Sequence, residues 1–164
     1  PDSCGGQCGE CPVNALCIEN GVCADIPTND TCADALAIDQ LPLTTWGSTE
    51  AASNDYEVLP NTCPGGPAAA TYGYGNDVVY VYTASQPETV VFNLVSNDTT
   101  FNSFLYAVSD CSDIGGSCIT AQDAPGTGGE SLVLELGAGQ TVYVIVDGSF
   151  VSSSGAYLLT VHLK

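Results

Sequence analysis

SLVLELGAGQTVYVIV, residues 131–146, decides between helix and strand for most of the chain. Its first half alternates, with Leu132, Leu134 and Leu136 on one side and Ser131 and Glu135 on the other. A period of two marks a strand that buries one face. Gly137-Ala138-Gly139-Gln140 is then a four-residue loop of hairpin length. The chain returns with Val142, Val144 and Val146 on a common side. The stretch predicts an antiparallel β-hairpin.

The same texture runs outward in both directions. VVYVYTA (78–84) is β-branched and aromatic on both faces, which suits a central strand. ETVVFNLV (88–95) follows the turn signal Gln86-Pro87. SFLYAV (103–108) places Phe104, Tyr106 and Val108 on one face. AYLLTVHL (156–163) aligns Tyr157, Leu159, Val161 and Leu163, with His162 opposite. A further strand is expected within LPLTTWGST (41–49), and a short helix within TCADALAI (31–38), capped by Asp30 or Thr31. Six or seven strands, regular turn signals and no long amphipathic helix predict an all-β fold: an antiparallel β-sandwich of jelly-roll type. Segments 50–71 and 109–130 read as long loops, and loops of that length are often functional.

Composition narrows the function. The chain has 164 residues, 45% of them apolar, enough for a real core. It carries 19 acidic residues against one basic residue, Lys164, for a net charge of −18. Nucleic acid is excluded as a partner, because neutralising phosphate needs Lys and Arg. Anionic membrane surfaces are excluded for the same reason, and no apolar run is long enough for membrane insertion. The chain starts at Pro1 with no Met anywhere, which predicts a processed product.

Nine cysteines point to an oxidising, extracellular setting, secreted or at the cell surface. Cys4, Cys8, Cys11, Cys17 and Cys23 lack the paired C-x2-C layout of a zinc site, and the one histidine lies far away in sequence, so disulfides are expected. Residues 1–26 form a cysteine-dense module too poor in apolar groups to build a core, so it must be stapled. Residues 27–164 form the sandwich domain.

In that order, NDTCADALAI (29–38), NDVVYVYTA (76–84), TFNSFLYAVSDC (100–111), LELGAGQTVYVIVDG (134–148) and GAYLLTV (155–161) resemble the bacterial pre-peptidase C-terminal domain and its cysteine-containing relatives. CGGQCGECPVNALCIENGVC, in the N-terminal module, resembles a cysteine-rich spacer between modules of similar secreted proteins. The resemblance implies a secreted, non-catalytic β-sandwich accessory domain of the kind that sits beside proteases, some relatives binding collagen or polysaccharide. It also implies pairing of Cys32 with Cys63 and of Cys111 with Cys118. Two departures stand out. Asn102 replaces the expected Asp, and Asp123 is the first carboxylate after Cys118. With four cysteines paired in the sandwich, the five of the module leave one without a partner in its own chain. A bond to another chain, or to a piece lost in processing, follows.

Chemistry is sparse. There is no G-x-S-x-G elbow and no Arg, and His162 falls on an outer strand face, so catalysis is not expected. Calcium is the one cofactor that suits so many oxygen ligands, with Asp77, Asp98, Asp110, Asp113 and Asp147 as candidates, although each also suits a plain turn. TYGYGN (71–76) sets Tyr72 and Tyr74 between glycines, and with Trp46 these rings could take a polysaccharide. Asn29 and Asn97 fit the N-glycosylation pattern.

The reading favours a structural protein that self-associates into an extracellular filament or surface layer, motivated by the odd cysteine and the cysteine-rich arm. The alternative is an accessory module that holds a polysaccharide or protein polymer and is released from a larger secreted enzyme.

Overall fold

The computed structural model describes residues 10–18, 21–66 and 72–164. In the N-terminal module, β1 (Ala15–Cys17) and β2 (Cys23–Asp25) pair antiparallel beside the Cys11–Cys23 disulfide. The helix expected over 31–38 shrinks to one 3-10 turn, Cys32–Asp34. Leu36–Ala37 instead forms β3, a short edge strand parallel to Tyr80 and Val81. Backbone pairing with a neighbouring strand outweighs the local helix preference there.

Eight further strands follow: β4 (Leu43–Ser48), β5 (Val78–Thr83), β6 (Glu88–Leu94), β7 (Ser103–Val108), β8 (Cys118–Gln122), β9 (Ser131–Leu136), β10 (Thr141–Gly148) and β11 (Ala156–Leu163). A single helical turn, α1 (Ile114–Ser117), precedes β8. The sandwich strands form two sheets, ordered β3-β5-β10-β7-β8 and β4-β11-β6-β9. Apart from β3 this is the jelly-roll order, and every pair except β3–β5 is antiparallel.

Residues 131–146 depart from the expected hairpin. β9 pairs with β6, whereas β10 pairs with β5 and β7. The loop 137–140 is therefore an arch that carries the chain from one sheet to the other. One-sided alternation cannot separate the two cases, because hairpin and arch turn the same residues inward. Leu132, Leu134, Leu136, Val142, Val144 and Val146 all reach the core between the sheets, as their spacing predicts. From β4 onward, only β7 and β8 are consecutive strands that also pair with each other. A hydrogen bond of 2.8 Å between the hydroxyls of Tyr80 and Tyr157 joins the two sheets inside the core. Gly47 makes room for it, since a methyl group there would overlap the Tyr157 ring.

The five-stranded sheet is apolar on both faces. Every residue of β7 is buried. Leu105 and Ala107 enter the core between the sheets. Phe104, Tyr106 and Val108 point the other way and pack with Val79, Ile145 and Val58 in a second cluster. The cover is the segment between β4 and β5, so the first long loop has a packing role. Its Tyr56 and Val58 lie on the sheet, and Val58 forms a backbone bridge with Tyr72.

One disulfide holds this cover directly and a second ties down the 3-10 turn beside it, and they correct the expected pairing. Cys32 bonds Cys111 and Cys63 bonds Cys118. Cys32–Cys63 would have tied the 3-10 turn to the cover, and Cys111–Cys118 would only have closed the short loop between β7 and β8. The observed bonds tie the cover and the 3-10 turn to the loop after β7 and to β8. Cys11, Cys17 and Cys23 are disulfide-bonded as well, while Cys4 and Cys8 lie outside the described residues. Such bonds belong to an oxidising compartment outside the cytoplasm. Among the described residues, no helix is long and apolar enough to cross a membrane.

Peptide mapping without reductant is expected to recover the Cys32–Cys111 and Cys63–Cys118 fragments. Replacing both Cys63 and Cys118 by Ala should lower unfolding stability by about 4 kcal/mol, read by urea denaturation, given that bond's separation of 55 residues.

Candidate functional site

The structure gathers two of the five proposed cation ligands. Asp77 and Asp147 lie on adjacent strand ends beneath the cover, both fully buried. Asp77 accepts from the backbone N–H of Asp55 (2.8 Å) and of Tyr56 (3.1 Å), so it anchors the start of the cover. Asp147 accepts from the Tyr106 hydroxyl at 3.1 Å. One carboxylate oxygen of each, Oδ1, has no hydrogen-bond partner. Burial, opposed by the two backbone N–H groups, pushes Asp77 up to about 7. Burial first, and Asp77 second, push Asp147 well above the ordinary carboxylate range.

The other three candidates serve turns. Asp110 accepts from the N–H and hydroxyl of Ser112. Asp113 caps α1 through the N–H of Gly116. Asp98 ends the 3-10 turn Ser96–Asp98. Two carboxylates supply only part of the roughly six to eight oxygens that calcium takes. Among the described residues, no group of three or more His, Cys, Asp or Glu is placed to hold a metal ion. Asn29 is buried and donates to the Val79 carbonyl at 3.0 Å, which explains the residue without a glycan.

A cleft of about 410 Å³ opens at one end of the sandwich, lined by Asp39, Tyr82 and Glu88 among others. The Tyr82 hydroxyl donates to Glu88. Asp39, Glu88 and Tyr82 are the ionisable groups of the lining, with Thr83 and Ser85 as its hydroxyls.

A second open feature is the outer face of the four-stranded sheet. Tyr157, Leu159 and Val161 of β11 and Phe92 and Leu94 of β6 point into the core, so the residues between them point to solvent. On β4, Trp46 is 64% exposed. Register places Trp46 against Leu158, while Thr44, Thr160, Asn93 and Ser131 form one row across all four strands. Asn93 donates to the Thr160 hydroxyl at 3.4 Å, linking two members of that row. His162, Val91 and Val133 make the next row, and Glu135 is the one carboxylate at an outward position of β4, β6, β9 and β11. A chain of net charge −18 thus has a sheet face almost without charge.

The three aromatic candidates do not meet. Trp46 lies on this open face. Tyr72 belongs to the opposite side of the molecule, half-buried against Phe104 and Phe150 with ring centroids 5.8 and 5.7 Å apart. Tyr74, 37% exposed, follows it in the same segment. Sequence reasoning missed Phe150, exposed beside Tyr72, and its exposed neighbour in sequence Val151, and it missed the uncharged row. That row has a sequence signal: the outward positions of the alternating strands carry Thr, Ser and Asn rather than Asp and Lys.

Comparison with known proteins finds no matching family model and no matching curated protein. Solved structures of similar fold include three from bacteria. The pre-peptidase C-terminal domain of a Bacillus anthracis collagenase is 14% identical, with TM-score 0.46, covering 77% of this chain and 93% of that one. A periplasmic inhibitor of g-type lysozyme from Aeromonas hydrophila is 9% identical, with TM-score 0.47, covering 79% and 96%. The K3 cleaved adhesin domain of Lys-gingipain from Porphyromonas gingivalis is 12% identical, with TM-score 0.36, covering 73% and 91%. At these identities the likeness concerns fold alone.

The buried carboxylates set a pH dependence. Glu130 is also fully buried and pushed up to about 7, mainly by desolvation, against an opposing N–H from Ala124. Raised carboxylates bind protons in the folded state that the unfolded chain has released, so stability falls as pH rises from about 4 through about 7. Urea denaturation at about pH 5 should give the higher stability and at about pH 8 the lower. Asp77→Asn should flatten that slope by up to about 1.4 kcal/mol per pH unit, the value of one proton.

Proposed function

We propose that this chain is a non-catalytic accessory module of a secreted protein, which holds an extracellular polymer near a partner domain. The unequal treatment of the two sheet faces carries this reading. One face is sealed by a disulfide-tied segment, and the other is left open and nearly uncharged. A sealed face serves stability, whereas an open face with an exposed Trp invites a ligand. Division into a stapled spacer, residues 1–26, and a sandwich, residues 27–164, fits a module strung within a larger secreted product, as does the resemblance to pre-peptidase C-terminal domains.

The cysteine count favours a second reading, a self-associating subunit of an extracellular fibre or layer. Nine is odd, and every described cysteine is already bonded. A bond between chains would use the remainder. Against this stands the charge, since packing bodies of −18 together is opposed by self-repulsion.

Size-exclusion chromatography with light scattering, followed by co-sedimentation with insoluble extracellular polymers, separates the two. The expected outcome is a monomer retained by at least one polymer. A disulfide-linked oligomer that no polymer retains would overturn the module reading in favour of the fibre.

A further inference from the structure

We infer that the open face of the four-stranded sheet binds a neutral polysaccharide, its chain running across the strands over Trp46, Leu158, Thr44, Thr160, Asn93 and Ser131. This rests on the module reading and names the polymer class and the surface.

Thr44, Thr160, Asn93 and Ser131 are direct cross-strand partners, so their hydroxyl and amide groups repeat at the strand spacing, about 4.8 Å. That interval is comparable with the rise of one hexopyranose along an extended glycan. The Thr160 hydroxyl donates to the Asn93 carbonyl at 3.3 Å and holds the Asn93 amide in place, so Thr44, the Asn93 amide and Ser131 are the groups of the row that can meet successive sugars. Thr, Ser and Asn each both donate and accept, as sugar hydroxyls do.

The adjoining row supplies the apolar partner. Trp46 and Leu158 are paired across β4 and β11, and Trp46 is 64% exposed. An indole face takes the C–H face of a pyranose, while the polar row takes its equatorial hydroxyls. An exposed Trp beside a polar ladder therefore matches the amphipathic sides of a sugar ring.

Charge selects among occupants. An acidic polymer is repelled by a body at −18. A basic partner is drawn to the carboxylate-rich loops, not to the face that presents Glu135 alone. A second copy brings another −18 with it. A neutral glycan meets no net repulsion, and its binding desolvates almost no charge.

Affinity electrophoresis in native gels tests this with mixed-linkage β-glucan, xylan, mannan and dextran as neutral probes and polygalacturonate as the charged one. At least one neutral glycan should retard the protein, equally at low and high salt. Trp46→Ala should weaken that retardation at least tenfold with thermal melting unchanged, because Trp46 is exposed, and Asn93→Ala with Thr160→Val should weaken it severalfold while lowering the melting temperature slightly, because that half-buried pair loses its cross-strand hydrogen bonds. Retardation by no neutral glycan, or by polygalacturonate alone, overturns the glycan class. Neutral-glycan binding that survives Trp46→Ala undiminished overturns the face while leaving the module reading intact. If insoluble polymers also fail to retain the protein, the module reading falls with it.

Discussion

Val79, Phe104, Tyr106 and Ile145 project from the side of the five-stranded sheet that faces away from the sandwich core, where water would otherwise meet them. Leaving such side chains exposed costs about 1.5–3 kcal/mol each. The chain between β4 and β5 must therefore lie over them, and much else follows from that requirement. Tyr56 and Val58 fill the space above the sheet, and the Tyr56 hydroxyl accepts from the N–H of Cys32 at 2.8 Å. Ser53 donates to Asp30 through its N–H at 2.7 Å and its hydroxyl at 3.1 Å, fixing the point where the cover begins. Cys63–Cys118 and Cys32–Cys111 restrict the unfolded chain so that the cover is not lost. Nothing comparable lies over the other sheet among the described residues, and its outward positions are polar enough to stand in water.

The cover also explains the buried carboxylates. Segment 53–57 carries backbone N–H groups over an apolar sheet and needs an acceptor beneath it, and Asp77 supplies one. Asp147 sits beside it and accepts from Tyr106, at a point where Gly73 (φ +76°) approaches so closely that a methyl group would press on its carboxylate. Two acids in a dry pocket cannot both stay ionised without a counter-charge, so raised proton affinity is the consequence of holding the segment down. Of the five aspartates that the sequence offers for calcium, this pair is thus the one whose burial serves the fold directly.

Much of the architecture is legible in the alternation of single strands. Leu132, Leu134 and Leu136, or Tyr157, Leu159 and Val161, are inward because a period of two leaves no other choice. Which strand pairs with which is not legible that way, and the arch at 137–140 reads like a hairpin for this reason. The continuous apolar run SFLYAV signals burial on both faces, but only the three-dimensional arrangement shows that a distant segment supplies the second cover. Disulfide partners depend on that same arrangement. Trp46, Tyr72 and Tyr74 are legible as candidate rings, whereas their separation onto opposite sides of the molecule is not. The row from Thr44 to Ser131 exists only once the register of four strands is known.

Function then follows from where the molecule is closed and where it is open. The sealed side commits its loops and disulfides to stability, and the open side presents an ordered, uncharged surface. The central claim is this division of labour, and amide chemical-shift mapping of the isotopically labelled protein with a retained glycan tests it most directly. Shifts confined to Thr44, Trp46, Asn93, Thr160 and their neighbours on β4, β6, β9 and β11 are the predicted result. Shifts centred instead on Tyr72, Tyr74 and Phe150, over the sealed side, would contradict it.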